Sequence, residues 1–202
     1  FDMEVHAALR KAVGPGYPLM SDPVGEYTLG DAVRVARQLE RLGYEWFEEP
    51  FRDFELYKYT DLCRTVDIPI AATETTRGCH WGVAQSIAQR AADIVRADVS
   101  WKNGVTGTLK IAHMADGFGL NCEVHTTTMN YMDLANVHVS CAIRNCKYFE
   151  YFVPEDQYRL PMKGDLPIRD GYIYAPDKPG IGAELDWELI GESCHSYRCQ
   201  TL

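Results

Sequence analysis

Six polar side chains stand at the ends of short apolar runs: Asp22, Glu48, Glu74, Asp98, His125 and Glu150. Asp22 and Glu48 lie 26 residues apart, and so do Glu48 and Glu74. Three carboxylates brought to one point repel one another unless a cation sits between them. An all-oxygen set suits a hard ion, Mg²⁺ or in second place Mn²⁺, whereas Zn²⁺ would be expected to recruit His or Cys. A single strand-end acid is more plainly read as a solvated loop residue, but three at equal spacing argue for a shared site. Asp98, His125 and Glu150 stand at the ends of the later strand-length runs.

Positioning these groups requires strands, and the sequence supplies them in alternation with helices. Apolar runs of strand length occupy residues 18–22, 44–49, 68–73, 94–98, 120–124 and 148–152, and helical periodicity occupies 28–42, 54–65, 83–92, 105–116 and 131–143. Strand followed by amphipathic helix, repeated, is the pattern of a parallel sheet built from βα units. In the 28–42 segment Ala32, Val35, Ala36 and Leu39 form an apolar face, with Gly43 at the C-terminal stop. In such folds ligands bind at the carboxyl ends of the strands, where the six polar residues fall. Strand alternation places Trp46 and Glu48 on one face and Phe47 and Glu49 on the other, so one glutamate enters the site, and Glu48 is the choice. Residues 2–13 have helical spacing and should follow a strand of their own. An open doubly wound sheet is disfavoured because no Gly-rich phosphate loop follows a strand.

From residue 154 onward Gly171, Pro176, Pro179, Gly180 and Gly182 break the chain into turns and short extended pieces. The expected organisation is a barrel portion, 1–153, and a tail, 154–202, that wraps over it or toward a capping domain. The chain of 202 residues carries 29 acidic against 20 basic side chains, a formal charge of −9. That balance argues against nucleic acid as partner. Seven cysteines, an odd number in a chain of this length, fit a reduced, cytoplasmic protein. No run approaches the roughly 18 apolar residues of a membrane span.

On these residues the chain resembles the C-terminal barrel domain of the enolase superfamily, in its mandelate racemase and acid-sugar dehydratase branch, over nearly its whole length. Trp46-Phe47-Glu48-Glu49-Pro50 resembles the family's paired-glutamate-proline motif, whose first glutamate binds metal. Arg96-Ala97-Asp98-Val99-Ser100 with Gly104-Val105-Thr106-Gly107 is similar to the sixth-strand motif, and Tyr148-Phe149-Glu150 to the eighth-strand segment. The resemblance implies a TIM-type (β/α)-barrel, seen here as strands three to eight without its first strands and without the N-terminal α+β capping domain. It further implies Mg²⁺ on Asp22, Glu48 and Glu74, an Asp98–His125 dyad, Glu150 at the substrate carboxylate, and a homo-oligomer. The sequence departs from the family at Val24, where asparagine is frequent, and at Thr73, where glycine commonly precedes the ligand. The family's second-strand lysine motif would lie upstream of Phe1.

The expected activity is Mg²⁺-dependent removal of the α-proton of a sugar acid followed by loss of the β-hydroxyl as water. Tyr27, Arg77, Asn130, Tyr131 and residues 126–128 offer polar contacts for such a small-molecule substrate. Racemisation, epimerisation or cycloisomerisation of a hydroxy acid is the alternative within enzymes, and a catalytically inactive ligand-binding barrel is the alternative outside them. His6, His113 and His138 read as structural and His80 as a lesser substrate candidate. Cys194, His195 and Cys199 offer three ligands to zinc, one fewer than a structural site takes.

Overall fold

The computed structural model describes residues 1–126, 131–154 and 162–193. Helix α1 (Asp2–Val13) is followed by β1 (Met20–Ser21), α2 (Leu29–Arg41), β2 (Trp46–Glu48), α3 (Leu56–Thr65), β3 (Ile70–Ala72), α4 (Cys79–Ala88), β4 (Ile94–Ala97), α5 (Gly104–Gly117), β5 (Asn121–Val124) and α6 (Tyr131–Ala142). The strands form one parallel sheet in the order β1-β2-β3-β4-β5, with α2 to α5 as the crossovers that parallel pairing demands.

Each crossover follows from its sequence. Thr28 caps α2 by accepting the Asp31 amide at 3.2 Å, and the helix buries Ala32, Val35, Ala36 and Leu39. These pack with Phe47, Ile70, Ala72, Val95, Ala97 and Cys122 from the sheet. Intervening strand residues, Trp46, Glu48, Ala71 and Arg96 among them, belong to the opposite face. On that face Trp46 of β2 lies 5.6 Å, ring to ring, from Tyr148. Three strands intervene, so a flat sheet of ~4.8 Å spacing would separate them by about 19 Å. The sheet therefore curls as part of an α/β barrel.

Helices α4 and α5 begin alike. Two consecutive residues adopt positive φ before the helix runs on, Gly78 (80°) and Cys79 (50°) in one and Asn103 (62°) and Gly104 (68°) in the other. A Cβ on Gly82 would meet the Arg77 carbonyl oxygen at 1.9 Å, and one on Gly107 the Lys102 carbonyl oxygen at 1.7 Å. Each loop is thus laid against the first helical turn in space that only glycine leaves. This corrects the expected 83–92 helix: Gly82 sits inside α4 rather than before it, and Arg90 (φ 54°) lies beyond its end.

The expected strand at 148–152 reduces to a single bridge, Val124 to Phe149. Glu123, 1 % exposed, accepts the Lys147 and Tyr148 amides at 3.0 and 2.9 Å, so a carboxylate takes the place of backbone carbonyls there. In the tail, β6 (Ile168–Arg169) and β7 (Tyr172–Ile173) form a hairpin, followed by helix α7 (Trp187–Ser193), which the turn-rich sequence did not announce. Leu166 packs on Leu134 of α6, with Phe149, Met162, Ile173 and Ile181 around them. Among the described residues no helix is long and apolar enough to cross a membrane.

Candidate active site

The inward face of β4 carries Arg96 and, just past the strand, Asp98. Arg96 is 4 % exposed. Its Nε lies 2.5 Å from Glu48 Oε1 and 3.5 Å from Glu74 Oε2, and its Nη2 donates to Glu150 Oε2 at 2.7 Å. Burial opposes the charge on Arg96, but Glu48, Glu150 and Glu74 outweigh it and hold the guanidinium protonated. The Nε contacts are ionic rather than directional, because among the described residues Arg96 Nε, Glu48 Oε1 and Glu74 Oε2 make no hydrogen bond. Glu48 Oε2 accepts the indole N–H of Trp46 at 2.8 Å, which confirms that these two share a face. Glu49 turns away and accepts the Thr73 amide at 2.9 Å and the Thr75 hydroxyl at 2.7 Å.

Glu74 reaches the inward face by a break in alternation. Ile70 and Ala72 pack toward the helices, so strict alternation would send Glu74 there too. Thr73 has φ of 97°, costly for a β-branched residue, and this reversal turns Glu74 onto Arg96. The Thr73 hydroxyl donates to the Arg96 carbonyl at 2.8 Å and accepts the Arg96 amide at 3.0 Å. A glycine would adopt the same backbone without strain but without these two bonds. Val24 is a second strained position, with φ of 51°, and its amide donates to Asp22 Oδ1 at 3.0 Å.

His125 Nδ1 donates to Asp98 Oδ2 in a short hydrogen bond, while Asp98 Oδ1 accepts the Trp101 amide at 2.7 Å. Asp98 is 1 % exposed, so both oxygens are committed and the imidazole is held by one fixed nitrogen. The other, Nε2, lies 3.7 Å from Glu74 Oε1. Trp101 lays its ring over the imidazole at 4.7 Å. Glu150 is oriented by Arg96 and by the Thr126 amide at 3.0 Å. Two buried groups tie the loops above the sheet. Lys102 donates to the Thr76 carbonyl, and Asn136 accepts the Val99 amide at 3.0 Å.

The structure thus brings Glu48, Glu74, Asp98, His125 and Glu150 together, with Asp22 at the edge strand. Other expected contacts lie apart. The Arg77 side chain is 93 % exposed, with Nε 3.8 Å from Asp53. Tyr27 lines a cleft with Asp22, but its hydroxyl donates to Asp2 at 2.6 Å. Asn130, Thr127, Thr128, Cys194, His195 and Cys199 lie outside the described residues. His6 packs edge-on against Tyr44, His138 meets the Ile181 carbonyl, and His80 stacks on Trp81. Sequence reasoning passed over the roles of Arg96, Thr73, Trp101 and Lys102. A signal existed for Arg96, a lone base on the inward alternation of an otherwise apolar strand, two residues before Asp98.

Among the described residues no three His, Cys, Asp or Glu side chains converge at ligating distance, and Arg96 lies between Glu48 and Glu74. The donor chemistry nevertheless suits a hard cation. Burial, then the charge of Glu48, pushes Asp22 up to about 6. Burial, then repulsion from Glu49, Glu48 and Asp22, raises Glu74 despite Arg96. Buried carboxylates that disfavour their own ionisation are groups a divalent ion would stabilise.

Residues 1–189 match the family model described as enolase C-terminal domain-like. An arabinonate dehydratase of Saccharolobus solfataricus is 31% identical over 201 residues, 99% of this chain and 52% of the relative. A D-galactarolactone cycloisomerase of Agrobacterium fabrum is 28% identical over 200 residues, 95% of this chain and 53% of the relative. A crystal structure of D-glucarate dehydratase from Agrobacterium tumefaciens complexed with magnesium superposes with a TM-score of 0.82 at 36% identity, over 95% of this chain and 50% of that one. The chain spans about half the length of the curated relatives it matches.

Proposed function

Because the chain belongs to the enolase C-terminal domain-like family, we propose that the protein is a Mg²⁺-dependent dehydratase that removes the α-proton of a sugar acid and eliminates its β-hydroxyl as water. The observation that carries this reading is the buried Asp98–His125 pair, whose free nitrogen faces the Glu74 carboxylate across 3.7 Å. Asp22, Glu48 and Glu74 would hold the ion, which supplies positive charge to the substrate carboxylate as the α-carbon loses its proton.

The remaining work falls to the protein's own side chains. His125 Nε2 accepts the α-proton as the C–H bond breaks, and Asp98 supports the resulting imidazolium through Nδ1. The electron pair left on the α-carbon forms the new C=C bond as the β-carbon–oxygen bond breaks. The proton on Nε2, or one from another acid, leaves with that hydroxyl as water. Trp101 covers one face of the imidazole and limits its ring rotation. Glu150, held by Arg96 and the Thr126 amide, lines the substrate side. A cytoplasmic homo-oligomer belongs to the same reading, supported by the family resemblance and the cysteine content.

The cycloisomerase relative favours a second reading, in which the same proton removal ends without loss of water. Full-length protein with Mg²⁺ in D₂O, incubated with a library of sugar acids and hydroxy acids and followed by mass spectrometry, separates the two. Loss of one water establishes dehydration and identifies the acid. Deuterium uptake at the α-carbon without water loss moves the assignment to racemase, epimerase or cycloisomerase, and absence of both leaves a binding barrel.

A further inference from the structure

We propose that Arg96 is an internal counter-cation that competes with the divalent ion for Glu48 and Glu74 and withdraws to Glu150 when the ion binds. The inference rests on the reading that Glu48 and Glu74 are metal ligands, and concerns what sets the affinity of that site. The Arg96 side chain is 5 % exposed and meets three carboxylates from three different segments of the chain. An arginine keeps its charge at any accessible pH, so this cation leaves the carboxylates only by moving.

The two ends of the guanidinium are held differently. Nη2 makes a directional hydrogen bond to Glu150 at 2.7 Å, whereas Nε meets Glu48 and Glu74 through ionic contacts that lack hydrogen-bonding geometry. The backbone of Arg96 is fixed on both its amide and its carbonyl by the Thr73 hydroxyl. Only the side chain is free to yield, and Glu150 is the partner already in place to keep it. A divalent ion and Nε cannot both occupy the space in front of Glu48 Oε1, which stands 2.5 Å from Nε. Binding the metal therefore includes the work of separating Arg96 from its acids. The same movement concentrates the guanidinium charge beside Glu150, on the substrate side.

Calorimetric titration of full-length protein with Mn²⁺, together with melting curves with and without the ion, tests this. Arg96→Met should bind Mn²⁺ at least about tenfold more tightly than the parent protein, and its melting temperature without metal should fall further than with metal. Glu150→Gln, which removes the resting place, should weaken Mn²⁺ binding several-fold. Unchanged or weaker binding by folded Arg96→Met overturns the proposal. If that variant does not fold, unchanged or tighter binding by Glu150→Gln overturns it instead. A parent protein that binds no Mn²⁺ fails at the earlier step, removing the metal site and this competition with it.

Discussion

The two faces of β2 to β5 are built on opposite terms. Toward the helices the strands present Phe47, Ile70, Ala72, Val95, Ala97 and Cys122 in one continuous apolar core. Toward the barrel interior the same strands and their ends present Glu48, Arg96, Asp98, Glu123 and His125, each buried to 7 % exposure or less. The outer face gains from every residue it buries, while the inner face desolvates charges and recovers that cost only in part through pairing. The contrast places the apolar core on one side of a single sheet and the candidate site on the other.

The largest effect expected on the inner face is His125→Asn, which should slow α-proton exchange by about 10³-fold with little change in the melting temperature. A large loss of stability in that variant would break the division between faces. On the outer face Phe47→Ala should cost about 3–5 kcal/mol in urea unfolding, while the folded fraction keeps its Mn²⁺ affinity. Between the faces, Thr73→Val keeps the strained backbone and loses both bonds to Arg96, an expected cost of about 1–3 kcal/mol. Thr73→Gly, relieved of the strain, should lose less than Thr73→Val, and the reverse order by thermal denaturation would remove the account of how Glu74 turns inward. The smallest effect belongs to the helix layer: Thr28→Ala, losing the α2 cap, should cost about 1 kcal/mol and leave proton exchange unaltered.

The outer face was legible because it obeys periodicity. Ala32, Val35, Ala36 and Leu39 were readable as one stripe, and the βα alternation announced the parallel sheet. The inner face was legible only where residues recur in a recognisable motif, as with Glu48 in Trp46-Phe47-Glu48-Glu49-Pro50 and with Asp98 and His125. What escaped depends on contacts distant in sequence. The positive φ of Thr73 breaks alternation for the benefit of Glu74, and Arg96 gains its meaning from acids on three other segments. The helix expected over 83–92 begins earlier, at Cys79, because nothing local shows that the Arg77 carbonyl needs the space Gly82 leaves. The 148–152 segment has strand composition, yet Glu123 on its neighbour claims the amides that a ladder would have used.

That carboxylate clip has a consequence for how the sheet comes apart. A ladder opens one rung at a time, whereas the start of the segment bearing Glu150 is held to its neighbour by the bonds of Lys147 and Tyr148 to Glu123, ahead of the Phe149 bridge and the Thr126 contacts to Glu150. Hydrogen exchange at Lys147 and Tyr148 should therefore be governed by one shared event and should run ahead of the β3 and β4 amides. On the proposed reading Glu150, next along from this clip, meets the substrate, and a substrate held there would fasten the seam.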